Sequence, residues 1–161
     1  MARRRPTEED RLEALRRLLS GLAEGADAHE LTMSMADLHP KNNTFPGEVF
    51  MGLAADAVEA AGATRDGPIP YEGLRERYLP ECKFRGRENR KIQFAILTSA
   101  AVRGGLEPDL LDEVSWWRDD DYWRYALYAA VALIRAAADR QGVSVVPLVQ
   151  KLAEHHGVAV T

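Results

Sequence analysis

Apolar residues recur every three or four positions near the start of the chain, at Leu12, Leu15, Leu19 and Leu22. This spacing places them on one face of an amphipathic helix. Thr7 is a candidate N-cap, and the acidic residues 8–10 after it suit the positive end of a helix. A first helix is therefore predicted from about residue 8.

The same periodicity continues through the rest of the chain. Leu31, Met35 and Leu38 fit a short second helix, although Leu31, Met33 and Met35 also fit the period of a strand. Further helices are predicted at 46–62, 71–78, 88–103, 108–114 and 121–140, with a last one between Ser144 and Gly157.

The segment 125–134 is apolar on nearly every side, which is typical of a helix surrounded by other helices. No run of alternating residues is long enough to build a sheet. We expect an all-α fold: a single-domain bundle spanning 1–161, with seven or eight helices around a central apolar helix near 121–140. Residues 1–6 are predicted to form a basic, flexible arm.

The composition of the chain indicates the size of its core and the cellular compartment to expect. A chain of 161 residues is long enough for one substantial core. Cys82 is the single cysteine, so neither an internal disulfide nor a cysteine-based zinc site is expected. The basic start lacks the apolar stretch of a signal peptide, and no apolar run is long enough to span a membrane. These features predict a cytoplasmic protein that is not embedded in a membrane.

The usual motifs of catalysis and cofactor binding are absent from the sequence. No glycine-rich phosphate loop or nucleophile elbow occurs. None of the four histidines has a partner at metal-binding helical spacing, and adjacent His155 and His156 point about 100° apart on a helix. Both are explained as favourable charges at a helix C-terminus. We therefore expect no catalytic residues, no cofactor and no metal. Cys82 is expected to be an ordinary thiol, although nearby cations could lower its pKa.

Two oppositely charged segments stand out. Residues 75–91 carry seven basic and three acidic side chains, a net charge of +4, and residues 107–121 carry seven acidic and one basic, a net charge of −6. A hairpin of the predicted fifth and sixth helices would bring these segments together, and we expect such internal pairing. The alternatives are pairing between subunits or the binding of an anion by the candidate contacts Lys83, Arg85, Arg87, Arg90 and Lys91.

Aromatic residues crowd around the acidic segment, and all three tryptophans lie there. Adjacent Trp116 and Trp117 cannot both face the core, so one is expected at the surface. Exposed tryptophans are common at the centres of protein interfaces. The candidate partner surface comprises Trp116, Trp117, Arg118, Asp119, Asp120 and Tyr122.

The C-terminal pattern, a helix followed by Gly142-Val143-Ser144 and a second helix, resembles helix-turn-helix and ribbon-helix-helix DNA-binding proteins. It departs from them in the second helix, where Lys151, His155 and His156 are the sole potential cations. A recognition helix needs more phosphate contacts than these. A capped helical hairpin is the preferred interpretation.

The functional prediction is a non-catalytic protein-interaction or regulatory module, which binds another protein or a second copy of itself as a homodimer. The alternative is a nucleic-acid-binding protein that uses residues 83–91 and the arginine arm. A net charge of −4 makes a broad nucleic-acid surface the less favoured of the two.

Overall fold

The computed structural model describes residues 7–35, 45–60, 74–83, 86–88, 91–92 and 122–160. Six helices occur in this part, and no strand does. They are α1 (Glu8–Ala23), α2 (Ala28–Ser34), α3 (Phe45–Ala60), α4 (Leu74–Tyr78), α5 (Tyr122–Gln141) and α6 (Val145–His156). None of these helices has an apolar stretch long enough to cross a membrane.

Helix α5 is the centre of the core, as its all-round apolar sequence predicts. Every residue from Tyr125 to Ile134 is buried, so this helix has almost no solvent-facing side over that length. Helix α3 packs against it more extensively than any other element in the described part. Ala54 and Ala57 of α3 are fully buried, and such small side chains allow two helix backbones to approach closely.

Local sequence explains where α1 begins. The Thr7 hydroxyl accepts a hydrogen bond from the Asp10 amide at 3.2 Å, and the Asp10 carboxylate accepts one from the Thr7 amide at 2.9 Å. This reciprocal capping box satisfies two amides that a helix N-terminus otherwise leaves without partners. The predicted start of α1 is confirmed.

The last helix packs against α1, α5 and α3. Leu148, Val149 and Leu152 are buried, as the apolar spacing of this segment predicts. Gly157 ends the helix with a φ of 72°, a left-handed conformation that glycine adopts without steric cost. Ser144 is the N-cap residue, but its side chain makes no capping hydrogen bond.

The second predicted helix is confirmed, and the helix count needs correction. The segment around Leu31 is a helix rather than a strand. Asp27 caps it, because its carboxylate accepts hydrogen bonds from the amides of His29 and Glu30. The described part contains six helices rather than seven or eight. Residues 87–88 and 91–92 are helical, in line with the predicted fifth helix, but most of that segment and the predicted sixth helix lie outside the described residues.

Candidate functional site

His156, in the last turn of α6, is held between two other helices. Its Nε2 lies 2.8 Å from Oδ2 of Asp56 on α3, and its Nδ1 lies 3.5 Å from a guanidinium nitrogen of Arg11 on α1. The side chains of His156 and Asp56 are only 17% and 11% exposed. Three helices that are far apart in sequence therefore meet through polar groups at one half-buried point.

The arrangement favours one form of the His156 ring. A guanidinium has donors and no acceptor, so the nitrogen facing Arg11 has to accept. The proton of a neutral imidazole then lies on Nε2, which donates to Asp56. Arg11 is held in place by Glu8, which accepts hydrogen bonds from two of its nitrogens, one of them at 2.9 Å. These hydrogen bonds from Arg11 lower the pKa of Glu8 below its ordinary value.

The neighbouring His155 reaches the same place. The two imidazole rings lie edge to face, with centroids 5.1 Å apart. One potential ligand atom from each of Asp56, His155 and His156 lies within 4.8 Å of the other two. We call these three residues the Asp–His cluster. It is the one group of this kind among the described residues that could hold a metal ion.

Sequence reasoning missed the Asp–His cluster. The two histidines do diverge on their helix, but Asp56 lies across the last turn of α6, within reach of both. One hundred positions separate Asp56 from His156, so no local motif connects them. The adjacent histidines were the single available signal, and only the packing of α3 against α6 turns that pair into a potential site.

A surface cavity of about 380 Å³ adjoins the cluster. Asp56 and His155 belong to both its lining and the Asp–His cluster. Its other lining residues are Glu59, Ala60, Gln141, Leu148, Lys151 and Leu152. The Gln141 side chain donates a hydrogen bond to the Ala60 carbonyl, which joins the ends of α3 and α5 at the cavity wall. A volume of this size suits a small molecule.

The structure leaves some of the predicted anion contacts exposed and buries another. Lys83 and Arg87 are exposed, as a binding surface requires. Lys91 is only 7% exposed, and its ammonium lies 5.1 Å from the centre of the Tyr125 ring, a favourable cation–π distance. Lys91 therefore does not lie at the surface, as an anion contact would require. Arg85 and Arg90 lie outside the described residues.

The predicted partner surface falls almost entirely outside the described residues, which include neither Trp116, Trp117, Arg118, Asp119 nor Asp120. Tyr122 is the first residue of α5. The third tryptophan, Trp123, is buried in the core. The arginine arm at 1–6, the acidic segment 107–121 and its pairing with the basic segment also lie outside the described part.

A second polar cluster fastens the loop after α4 to the central helix. Arg135 donates to both carboxylate oxygens of Glu81, at 2.9 and 2.8 Å, and to the Tyr78 carbonyl at 2.7 Å. Glu81 also accepts from the Ala28 amide. Partial burial alone would raise the pKa of Glu81, but its hydrogen bonds, chiefly from Arg135, lower it overall. The bidentate geometry and full set of partners are those of a structural ion pair.

Cys82 lies beside this ion pair and is almost fully buried. Burial, together with the negative charges of Glu81 and Asp27, raises the pKa of its thiol to about 11. The cations that the sequence places near Cys82 therefore do not activate it. At neutral pH the thiol is protonated and a poor nucleophile.

Comparison with known proteins adds no relative: no family model, curated protein or solved structure matches this chain.

Proposed function

We propose that this chain is a non-catalytic regulatory module that binds a divalent transition-metal ion at the Asp–His cluster. The observation that carries the proposal is the convergence of a carboxylate from α3 and two imidazoles from α6 within 4.8 Å of one another. The absence of catalytic motifs from the sequence independently favours a regulatory or interaction module, and the cluster supplies a signal to which such a module could respond.

The donor set indicates the type of metal. Two imidazoles and one carboxylate suit Zn²⁺, Co²⁺, Ni²⁺ or Cu²⁺ better than Ca²⁺ or Mg²⁺, which prefer oxygen ligands alone. Ligand atoms around a tetrahedral Zn²⁺ lie roughly 3.3 Å apart. Nε2 of His156 and Oδ2 of Asp56 are 2.8 Å apart, so coordination requires a small separation of this pair and a side-chain rotation that brings His155 closer.

Arg11 gives metal binding a structural consequence. Coordination through Nε2 of His156 moves the ring proton to Nδ1, which lies 3.5 Å from the Arg11 guanidinium. Two donors then face each other, so the contact between Arg11 and His156 breaks, while Arg11 keeps its partner Glu8. Metal binding therefore breaks a contact between α1 and α6 and strengthens the contact between α3 and α6. This exchange is the regulatory step of the proposal.

Two observations support a role without catalysis. Both ring nitrogens of His156 are occupied, one by Asp56 and the other by Arg11, so neither faces a substrate as a general base. The Cys82 thiol is buried and protonated at neutral pH. Formation of a homodimer through the surface from Trp116 to Tyr122 remains a prediction. Such a dimer would be the assembly that the change at α1 and α6 regulates.

Titration of the metal-free full chain with Zn²⁺ in a calorimeter tests the proposal. We expect one ion per chain. We expect Asp56→Asn and His156→Gln each to weaken binding by at least about tenfold, since the first removes the carboxylate charge and the second replaces an imidazole with a weaker amide donor. His29→Gln is the matched control, because His29 contacts Tyr128 elsewhere in the fold. Its affinity should equal that of the wild type.

Circular dichroism of each variant separates loss of the site from loss of the fold. Folded Asp56→Asn and His156→Gln variants that bind Zn²⁺ as tightly as the wild type would contradict the proposed site. So would a wild-type chain that binds no Zn²⁺ at micromolar concentration.

A further inference from the structure

We propose that the cavity beside the Asp–His cluster binds a small monocarboxylate with an apolar tail, and that it binds this ligand much more tightly when the metal is present. This inference rests on the proposed metal site. It names the ligand to which the module would respond, and it depends on the shared lining of the cavity and the cluster.

The cavity has direct access to the metal position. Asp56 and His155, two of the three potential ligands, line it. Three protein ligands leave at least one position on a tetrahedral ion for a further ligand. Because two of the three protein ligands face the cavity, a molecule inside it can reach that open position.

Charge makes the binding conditional on the metal. Asp56 and Glu59 give the cavity two formal negative charges and Lys151 gives it one positive charge, a net of −1. A divalent ion changes this net to +1. A carboxylate is therefore repelled from the metal-free cavity and attracted to the loaded one. Lys151, on α6 like His155, supplies a second cation for the oxygen that is not coordinated.

The apolar part of the cavity lining indicates the chemistry of the other end of the ligand. Leu148, Leu152 and Ala60 make part of the wall apolar, and burial of a short hydrocarbon tail against such a wall is favourable. A simple inorganic anion would leave this part of the cavity unused. An aliphatic monocarboxylate meets both the charged and the apolar parts.

Hexanoate and Co²⁺ are suitable probes. Bound Co²⁺ absorbs visible light, and its spectrum changes when a new ligand enters its coordination sphere. We expect hexanoate to change the spectrum of the Co²⁺-loaded chain saturably, and calorimetry to show at least about tenfold weaker binding to the metal-free chain. Lys151→Met should raise the dissociation constant of hexanoate about fivefold and leave Co²⁺ binding unchanged. Lys83→Met, at an exposed lysine far from the cavity in sequence, is the matched control and should change neither.

Each result has a separate meaning. Failure of Co²⁺ to bind overturns the proposed function itself. A Co²⁺-loaded chain whose spectrum hexanoate does not change overturns the carboxylate inference alone, as does equal hexanoate binding with and without metal. The second probe, added to the Co²⁺-loaded chain in the same way, is an acetylated tripeptide with a free carboxyl terminus and a C-terminal leucine. If that peptide changes the spectrum and hexanoate does not, the cavity takes a chain terminus and the small-molecule inference is wrong.

Discussion

Replacement of Arg11 by glutamine should tighten metal binding, although it removes a polar contact. In the metal-free protein the Arg11 guanidinium lies 3.5 Å from Nδ1 of His156. Arg11 favours the tautomer in which the ring proton lies on Nε2, the nitrogen that would coordinate the metal. A metal ion has to displace that proton and then share the site with a nearby positive charge. Arg11→Gln removes the positive charge and the constraint on the tautomer.

The size of the effect follows from the geometry. Adding the width of the ring and one coordination bond to the 3.5 Å contact places the guanidinium roughly 7 Å from an ion on Nε2. A unit charge and a divalent ion at that distance repel each other by about 1 kcal/mol in water-like surroundings. Loss of that repulsion corresponds to about fivefold tighter binding. Glu8 remains after the substitution, and its negative charge acts in the same direction.

Competition with a coloured chelator for Zn²⁺ measures the change. The matched control is Arg16→Gln, because Arg16 on the same helix forms a similar ion pair with Glu13, at 3.0 and 2.6 Å, and has no contact with the cluster among those described. We expect this control to bind Zn²⁺ like the wild type. Equal or weaker binding by Arg11→Gln, with the control unchanged, would refute the view that Arg11 competes with the metal.

Further predictions concern stability and reactivity. Chemical unfolding measures the changes in the free energy of unfolding that are predicted for substitutions at Gly21, Gly52 and Glu81. Gly21→Ala should destabilise the fold by about 1 kcal/mol, because the new methyl group would lie 2.2 Å from a Leu31 methyl carbon in a packed interior. Gly52→Ala, which meets nothing within 4 Å, should stabilise by up to about 1 kcal/mol through helix propensity; the reverse order would contradict the packing. Glu81→Gln should cost about 2 kcal/mol at pH 7. Because folding lowers the pKa of Glu81, its contribution is present above the ordinary pKa of 4.5 and is lost as pH falls through the lowered pKa, so wild type and variant should converge in acid; an unchanged gap would exclude this linkage. Cys82, with a pKa of about 11, should react with a disulfide reagent at least about 100-fold slower in the native chain than in urea, and equal rates would show that the thiol is accessible.

The helices of the described part were largely predictable, and the exceptions have local causes. Thr7 begins α1 as expected because capping involves residues only three positions apart. The segment around Leu31 fits both a helix and a strand by apolar spacing, because it is short, and the structure shows that it is a helix capped by Asp27. Burial of Lys91 was also unforeseen, because a lysine in a basic segment gives no sign that it will lie over the ring of Tyr125.

The sequence by itself determined the fold class, the first helix and the central position of α5. Each depends on residues close together in the chain, where the period of the helix and the rules of capping apply directly. Only the tertiary structure decided the Asp–His cluster and the role of Arg11 in it. These residues come from three helices whose order in space follows from side-chain packing, and no spacing in the sequence records which polar residue will lie opposite which. For the same reason the sequence around the adjacent histidines indicates only a favourable helix end, whereas in the folded chain Asp56 on α3 lies 2.8 Å from His156.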